Sequence, residues 1–414
     1  MYSPTKEMIS RYAEVAVKVG LKLQKGQELI INAPIEAVDL VRAVTKIAYN
    51  AGAKLVTTFY GDDTTALMRY TESDCSQLDY ANGWLARGIA EAFGNGAARL
   101  AIIGDNPTLF KDVDPAHLST AGKARGIAYK PLSKLITDSV SNWSIVAFPT
   151  QIWADQVFPG DLNALEKLWD NVLKACRCDS SVEDPIQNWE DHNERLHERS
   201  RKLNDSRFQA IRFVGDGTDL MVGLADNHVW EGGSAPTVDG RYYNANIPTE
   251  EVFTTPHSRK VDGFVKSTKP LLYRGTLIDG IRVRFEGGKA VEVTAEKGEQ
   301  VFRDMINEDE NACRLGEVAL VPANSPISNT GILFQETLFD ENASCHLAFG
   351  QSYSKCMIDT PNLTDEEREK SLKEWGANSS RIHTDWMIGS DKVTVMGVKD
   401  SKETILIENG EWVF

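Results

Sequence analysis

The chain has 414 residues, with 45 Lys plus Arg against 60 Asp plus Glu and a formal net charge of −15. At 42% hydrophobic and 25% charged it reads as globular, and its length predicts two or three domains with cores of their own. The acidic balance, with no cluster of basic residues to offset it, excludes broad contact with a phosphate backbone, so no nucleic-acid partner is expected.

Ser3-Pro4 is a helix start, after which Met8, Tyr12, Val15 and Val19 recur on one apolar face. A strand over 28–32, a helix over 37–49 closed by Gly52, and a strand over 54–60 follow. That order implies a right-handed crossover and a parallel sheet, to which 99–104 and 143–148 add buried strands. No G-x-G-x-x-G joins a strand to a helix, so a dinucleotide fingerprint is absent. Residues 162–174 and 186–203 read as helices, the second strongly charged.

Beyond residue 205 the texture changes. Strands over 210–214 and 219–224 flank Gly215-Asp216-Gly217-Thr218, and strands over 281–285 and 290–293 flank Glu286-Gly287-Gly288-Lys289. Both are hairpin signals, and 391–398 and 404–407 read as further strands. The expected architecture is an N-terminal open α/β domain with a parallel sheet over 1–205, then a strand-rich α+β catalytic domain over 206–414. Nothing resembles the ~20 apolar residues that span a bilayer, and no secretory signal is apparent. Six irregularly spaced cysteines suit a reducing compartment, so a cytoplasmic protein with no membrane partner is expected.

His192 and His197 lie five apart on the charged helix, off a shared face, and H-E-x-x-H is absent; both read as solvated. His383 and Asp385, on a strand-like segment, point to one side and suit a divalent cation with mixed nitrogen and oxygen ligands. Glu250 and Glu251 sit between Pro248 and Pro256 and face opposite ways in an extended chain. One could bind a metal while the other serves as general base; two solvated glutamates are the alternative. Glu317 opens an apolar run and either lies at its exposed end or meets a cation. Asp340, Glu341, His346 and Tyr353 share one loop-to-strand stretch. Cys345 adjoins His346, but sequence neighbours seldom reach each other as nucleophile and base.

Five segments carry a more specific signal: GDGTDLMVGL from Gly215, NIPTEEVFTTP from Asn246, LGEVALVP from Leu315, ENASCHLAFG from Glu341 and HTDWMIG from His383. With residues 23–54, Trp153-Ala154 and Phe158-Pro159, they extend over nearly the whole chain. The sequence resembles the aminopeptidase T and aminopeptidase S type of two-metal metallopeptidases. The resemblance implies two divalent ions (zinc, cobalt or magnesium) on Glu251, Glu317, Glu341, His346, His383 and Asp385, with Glu317 bridging. It implies a water shared by the ions as nucleophile, Tyr353 as hydrogen-bond donor to the oxyanion, peptide substrates with a free N-terminus, and a homodimer. Chemical logic adds Glu250 as the base. The acid- and lysine-rich segment 361–380 falls between the motifs, reads as longer than usual in the family, and bears on access to the site. A metal-dependent phosphohydrolase and a non-catalytic cation- or partner-binding protein are the alternatives; the missing phosphate-binding loop weighs against the first.

Overall fold

The computed structural model describes residues 2–104, 106–358 and 363–414. The chain forms two compact units. One runs up to His192 and takes in Ser234–Pro248; the other holds Asn193–Gly233 and the chain from Thr249 to Phe414. The helix Pro185–Ser206 belongs to both. Early in it, Trp189 donates Nε1–H to Cys176 O at 2.8 Å, whereas Leu196 and Leu203 join the core of the second unit. Compactness therefore divides this helix after His192, while the change of texture read near residue 205 coincides with its end. His192, expected in solvent, is buried: its Nδ1 lies 3.3 Å from Arg177 Nη2 and its ring meets Trp189 edge-on. The apolar surroundings of this helix end override its charged composition.

The first unit is built on a five-stranded parallel sheet. Its order is Asn246–Ile247, Trp143–Ala147, Ala98–Ile103, Glu28–Pro34, Leu55–Gly61. Leu29, Ile30 and Ile31 are all buried, as the continuous apolar run of a strand covered on both faces demands. The first helix starts at Lys6, later than the Ser3-Pro4 signal, because the Thr5 hydroxyl accepts the Met8 N–H at 3.2 Å and caps it there. Ile30 packs with Ile89 and Phe93 of the helix Gly83–Gly94 and with Leu132 of Pro115–Thr137. That last helix buries only Ala121 and Leu132, so it carries no apolar period for a sequence reading to detect.

The second unit stacks two antiparallel sheets. The larger, of eight strands, includes both predicted hairpins, at Ala210–Gly215 with Thr218–Leu224 and at Arg282–Glu286 with Lys289–Thr294. It ends with Thr394–Lys399, Lys402–Glu408 and Glu411–Trp412. The smaller sheet has the order His383–Met387, His346–Gly350, Leu315–Leu320, Val252–Thr254, Glu231–Gly232. Phe213, Val222, Val261 and Phe285 of the first sheet share one core with Val318, Leu347, Phe349 and Trp386 of the second. Phe349 stacks on both Phe285 and Trp386, each at 5.8 Å between centroids.

Of the 361–380 segment, 361–362 lie outside the described residues; Asp365–Glu374 is a helix started by a capping box of Thr364 and Glu367. No helix among the described residues is long and apolar enough to cross a membrane.

Candidate metal centre

The smaller sheet has one dry face and one polar face, and strand alternation makes both from the same segments. Val318, Leu320, Leu347, Phe349 and Trp386 turn into the core. Their neighbours Glu317, Ala319, His346, Ala348, His383 and Asp385 turn the other way. The register sets them in rows: Glu317 opposite Ala348 opposite Asp385, and Ala319 opposite His346. His383 pairs with Gly350. Large polar groups are thus spaced by alanine and glycine, which leaves room above the sheet. Gly350 has φ +101°, and a Cβ there would lie 2.1 Å from Ile382 O, so no other residue fits this row. Val252 faces the core, so Glu251 and Phe253, one residue to either side, lie on the polar face.

The ligand atoms form two groups, Glu251 with Glu317 and His346, and Glu317 with His383 and Asp385. Within each group all ligand atoms lie within 4.8 Å of one another, and Glu317 belongs to both. His346 Nε2 is 3.1 Å from Glu251 Oε2 and 3.8 Å from Glu317 Oε1. His383 Nε2 is 3.4 Å from Glu317 Oε2 and 3.5 Å from Asp385 Oδ1. The other ring nitrogens meet backbone carbonyls: His346 Nδ1 at 3.2 Å from Ser344 O, His383 Nδ1 at 2.8 Å from Gln351 O. A proton on each Nδ1 satisfies those carbonyls and leaves Nε2 as the coordinating atom, the usual arrangement behind a metal-bound imidazole.

Burial and crowding set the electrostatics. Burial pushes Glu317 upward, but hydrogen bonds from His346 and His383 outweigh it and hold its carboxyl at about 2. Burial would lower both imidazoles; their carboxylate neighbours win and hold them well above the usual histidine value. Glu251 is raised by burial and by Glu317, despite its bond to His346. Glu341 stands outside the two groups and is half-buried, and its carboxyl is pushed well up, first by burial and then by the charges of Asp385 and Glu251. Four carboxylates around two imidazoles, most of them buried, carry an excess of acid that bound cations would neutralise. Carboxylate oxygen and imidazole nitrogen are also the donor set that divalent transition-metal ions accept, so these residues fit such ions.

Glu250 is buried as well, at 3% exposure, on the chain just before the Val252–Thr254 strand. Its backbone N–H donates to Asn342 Oδ1 at 2.7 Å. The same amide donates Nδ2–H to Leu338 O at 3.1 Å and to Glu341 Oε1 at 3.3 Å. Asn342, fully buried, therefore ties two candidate site residues together. Sequence reading gave it no role; its adjacency to Glu341 in ENASCHLAFG was the available signal. Tyr353 lies with its ring 4.7 Å from that of His383. Burial first, then the charge of Glu317 and the other acids, raises its phenol well above the usual value, so it stays protonated and can donate. Cys345 is pushed up to about 11 by burial, and its Sγ bonds to Val321, which removes it as a thiolate nucleophile.

Fold and site together define a two-unit protein with a buried carboxylate–imidazole metal centre on the polar face of an antiparallel sheet. The family model described as thermophilic metalloprotease (M29) matches residues 5–412. Aminopeptidase T of Thermus thermophilus is 48% identical over 411 residues, 99% of either chain. Aminopeptidase 2 of Geobacillus stearothermophilus is 40% identical over 410 residues, 98% of either chain. The solved structure of wild-type AmpT from Thermus thermophilus superposes with a TM-score of 0.92 at 47% identity, covering 99% of this chain and 100% of that one. The chain belongs to the thermophilic metalloprotease (M29) family.

Proposed function

We propose that the protein is a metal-dependent aminopeptidase that removes the first residue from peptides with a free N-terminus. The observation that carries this reading is the pair of ligand groups joined through Glu317 in a chain of this family. Glu251, Glu317, Glu341, His346, His383 and Asp385 would hold two divalent ions, with Glu317 common to both. When bound, such ions polarise the scissile carbonyl and lower the pKa of the attacking water toward neutrality. Zinc and cobalt suit a mixed nitrogen and oxygen donor set, whereas magnesium would draw mainly on the carboxylates.

Glu250, whose buried position beside Glu251 shelters it from bulk water, would take the proton of the attacking water and return it to the leaving amine. Tyr353, protonated and next to His383, would donate its O–H to the oxyanion of the tetrahedral intermediate. Asn342, through its bonds to Glu250 and Glu341, would hold base and ligand in register. A homodimer in the cytoplasm completes the reading; none of the six cysteines is in a disulfide, which supports a reducing compartment.

The test is chelation, dialysis, and return of zinc, cobalt or magnesium one at a time, with leucine p-nitroanilide and its N-acetylated form as substrates. Activity should vanish with the metal, return with at least one ion, and be confined to the unblocked substrate. Cleavage that survives metal removal, or that is indifferent to acetylation, contradicts the proposal. Release of phosphate from esters in the same protein would instead select the phosphohydrolase.

A further inference from the structure

Lys355 is exposed on the short 3-10 turn Ser354–Cys356, two residues beyond Tyr353. Its Nζ lies 4.8 Å from the centre of the Phe253 ring and 5.5 Å from that of Tyr353. Those rings meet edge to face, with centroids 6.1 Å apart. Tyr353 in turn touches His383, and Phe253 shares its strand face with Glu251, so each ring that holds the ammonium also adjoins a residue of the ligand groups. The negative faces of two aromatic rings attract the cation and limit its wandering. Among the described residues no carboxylate makes an ion pair with it. Its charge acts on half-buried Glu231, the strand partner of Phe253, without an ion pair between them. A lysine held on aromatic rings beside a reaction centre, with no ion-pair partner, presents a positive charge to whatever enters.

An aminopeptidase substrate enters with its amino end at the metal centre. In a dipeptide the free carboxylate follows the scissile carbonyl by about one residue, a span of ~3.5 Å that a lysine side chain readily covers. A longer or amidated peptide presents an uncharged amide at that point. We propose that Lys355 is a specificity-determining residue that binds the terminal carboxylate of a dipeptide, so that short peptides with an unblocked C-terminus are the preferred substrates. This rests on the aminopeptidase reading and deepens it.

The experiment compares kcat/KM for leucyl-leucine and leucyl-leucine amide in the metal-loaded protein, in wild type, Lys355→Met and Lys355→Arg. Wild type should favour the free acid by about tenfold, a charge-assisted contact's worth of discrimination. Lys355→Met should bring the ratio close to one, chiefly through KM, and Lys355→Arg should keep a preference. Added salt should shrink the wild-type ratio, as it screens an exposed charge pair. Calorimetric binding of the reduced-peptide-bond analogue of each peptide gives a second readout that needs no turnover. Equal cleavage of both peptides by wild type, or a ratio untouched by Lys355→Met, overturns the carboxylate site and leaves the aminopeptidase reading intact. Tighter binding of the carboxylate analogue with no cleavage of either peptide does the reverse.

Discussion

Glu250 and Glu251 are adjacent in sequence and differ in what holds them. Glu251 has a charged partner in His346, whereas Glu250 is fixed through its backbone by Asn342. Removing the charge of Glu250 should therefore spare the metal and strike the proton transfer. Glu250→Gln is expected to retain metal by elemental analysis after dialysis while kcat falls by ~10²–10⁴-fold, the usual share of a general base. Undiminished turnover would eliminate Glu250 from that role. At this scale the sequence displayed the residue types and little else. Each glutamate was equally compatible with a solvated surface, and adjacency to Glu341 marked Asn342 without giving its role, because a buried amide is defined by the partners it meets in the fold.

At the scale of elements, the centre depends on three strands keeping register, and loops outside the sheet help to hold it. Asp309 accepts hydrogen bonds from Arg381 N at 2.7 Å, Ser380 Oγ at 2.8 Å and Asn311 N at 2.9 Å. It thereby fixes the entry to the His383–Met387 strand. Burial pushes its carboxyl up, but these bonds and the charge of Arg381 outweigh that and hold it below the usual value. A carboxyl lowered by folding stabilises the fold above its unfolded pKa, and that contribution disappears as pH falls through its folded value. Asp309→Asn should accordingly flatten the loss of stability on acidification below about pH 4, followed by urea unfolding across that range. Parallel acid-dependence of variant and wild type would show that this carboxylate does not anchor the strand. The element reading from sequence was good where a period existed: the hairpins around Gly217 and Gly287 lie where their patterns put them. It missed the helix Pro115–Thr137, whose exposure erases the period.

For the whole molecule, the surplus of 15 negative charges and the anionic centre make metal binding part of the stability balance. Metal that binds only the folded state stabilises it, with the logarithm of free metal over its Kd. The two imidazoles are held well above their usual value without metal and must give up a proton to ligate. Metal occupancy at fixed free concentration should therefore drop as pH falls from about 8 to about 6, and the gain in Tm on adding metal should drop with it. Constant occupancy and a constant gain across that range would mean that protons and metal do not compete at these histidines. The sequence by itself determined the parallel α/β region, the strand-rich remainder, the ligand types and, through its motifs, the family, because periodicity and short motifs are properties of neighbouring residues. Only the tertiary structure decided the distances that set Glu317, given a shared place by the resemblance, among both groups, that Asn342 joins Glu250 to Glu341, and that Lys355 rests on two rings beside His383. Those facts depend on strand register and on burial, which join residues up to a hundred or more positions apart, and no local pattern in the chain encodes that distance.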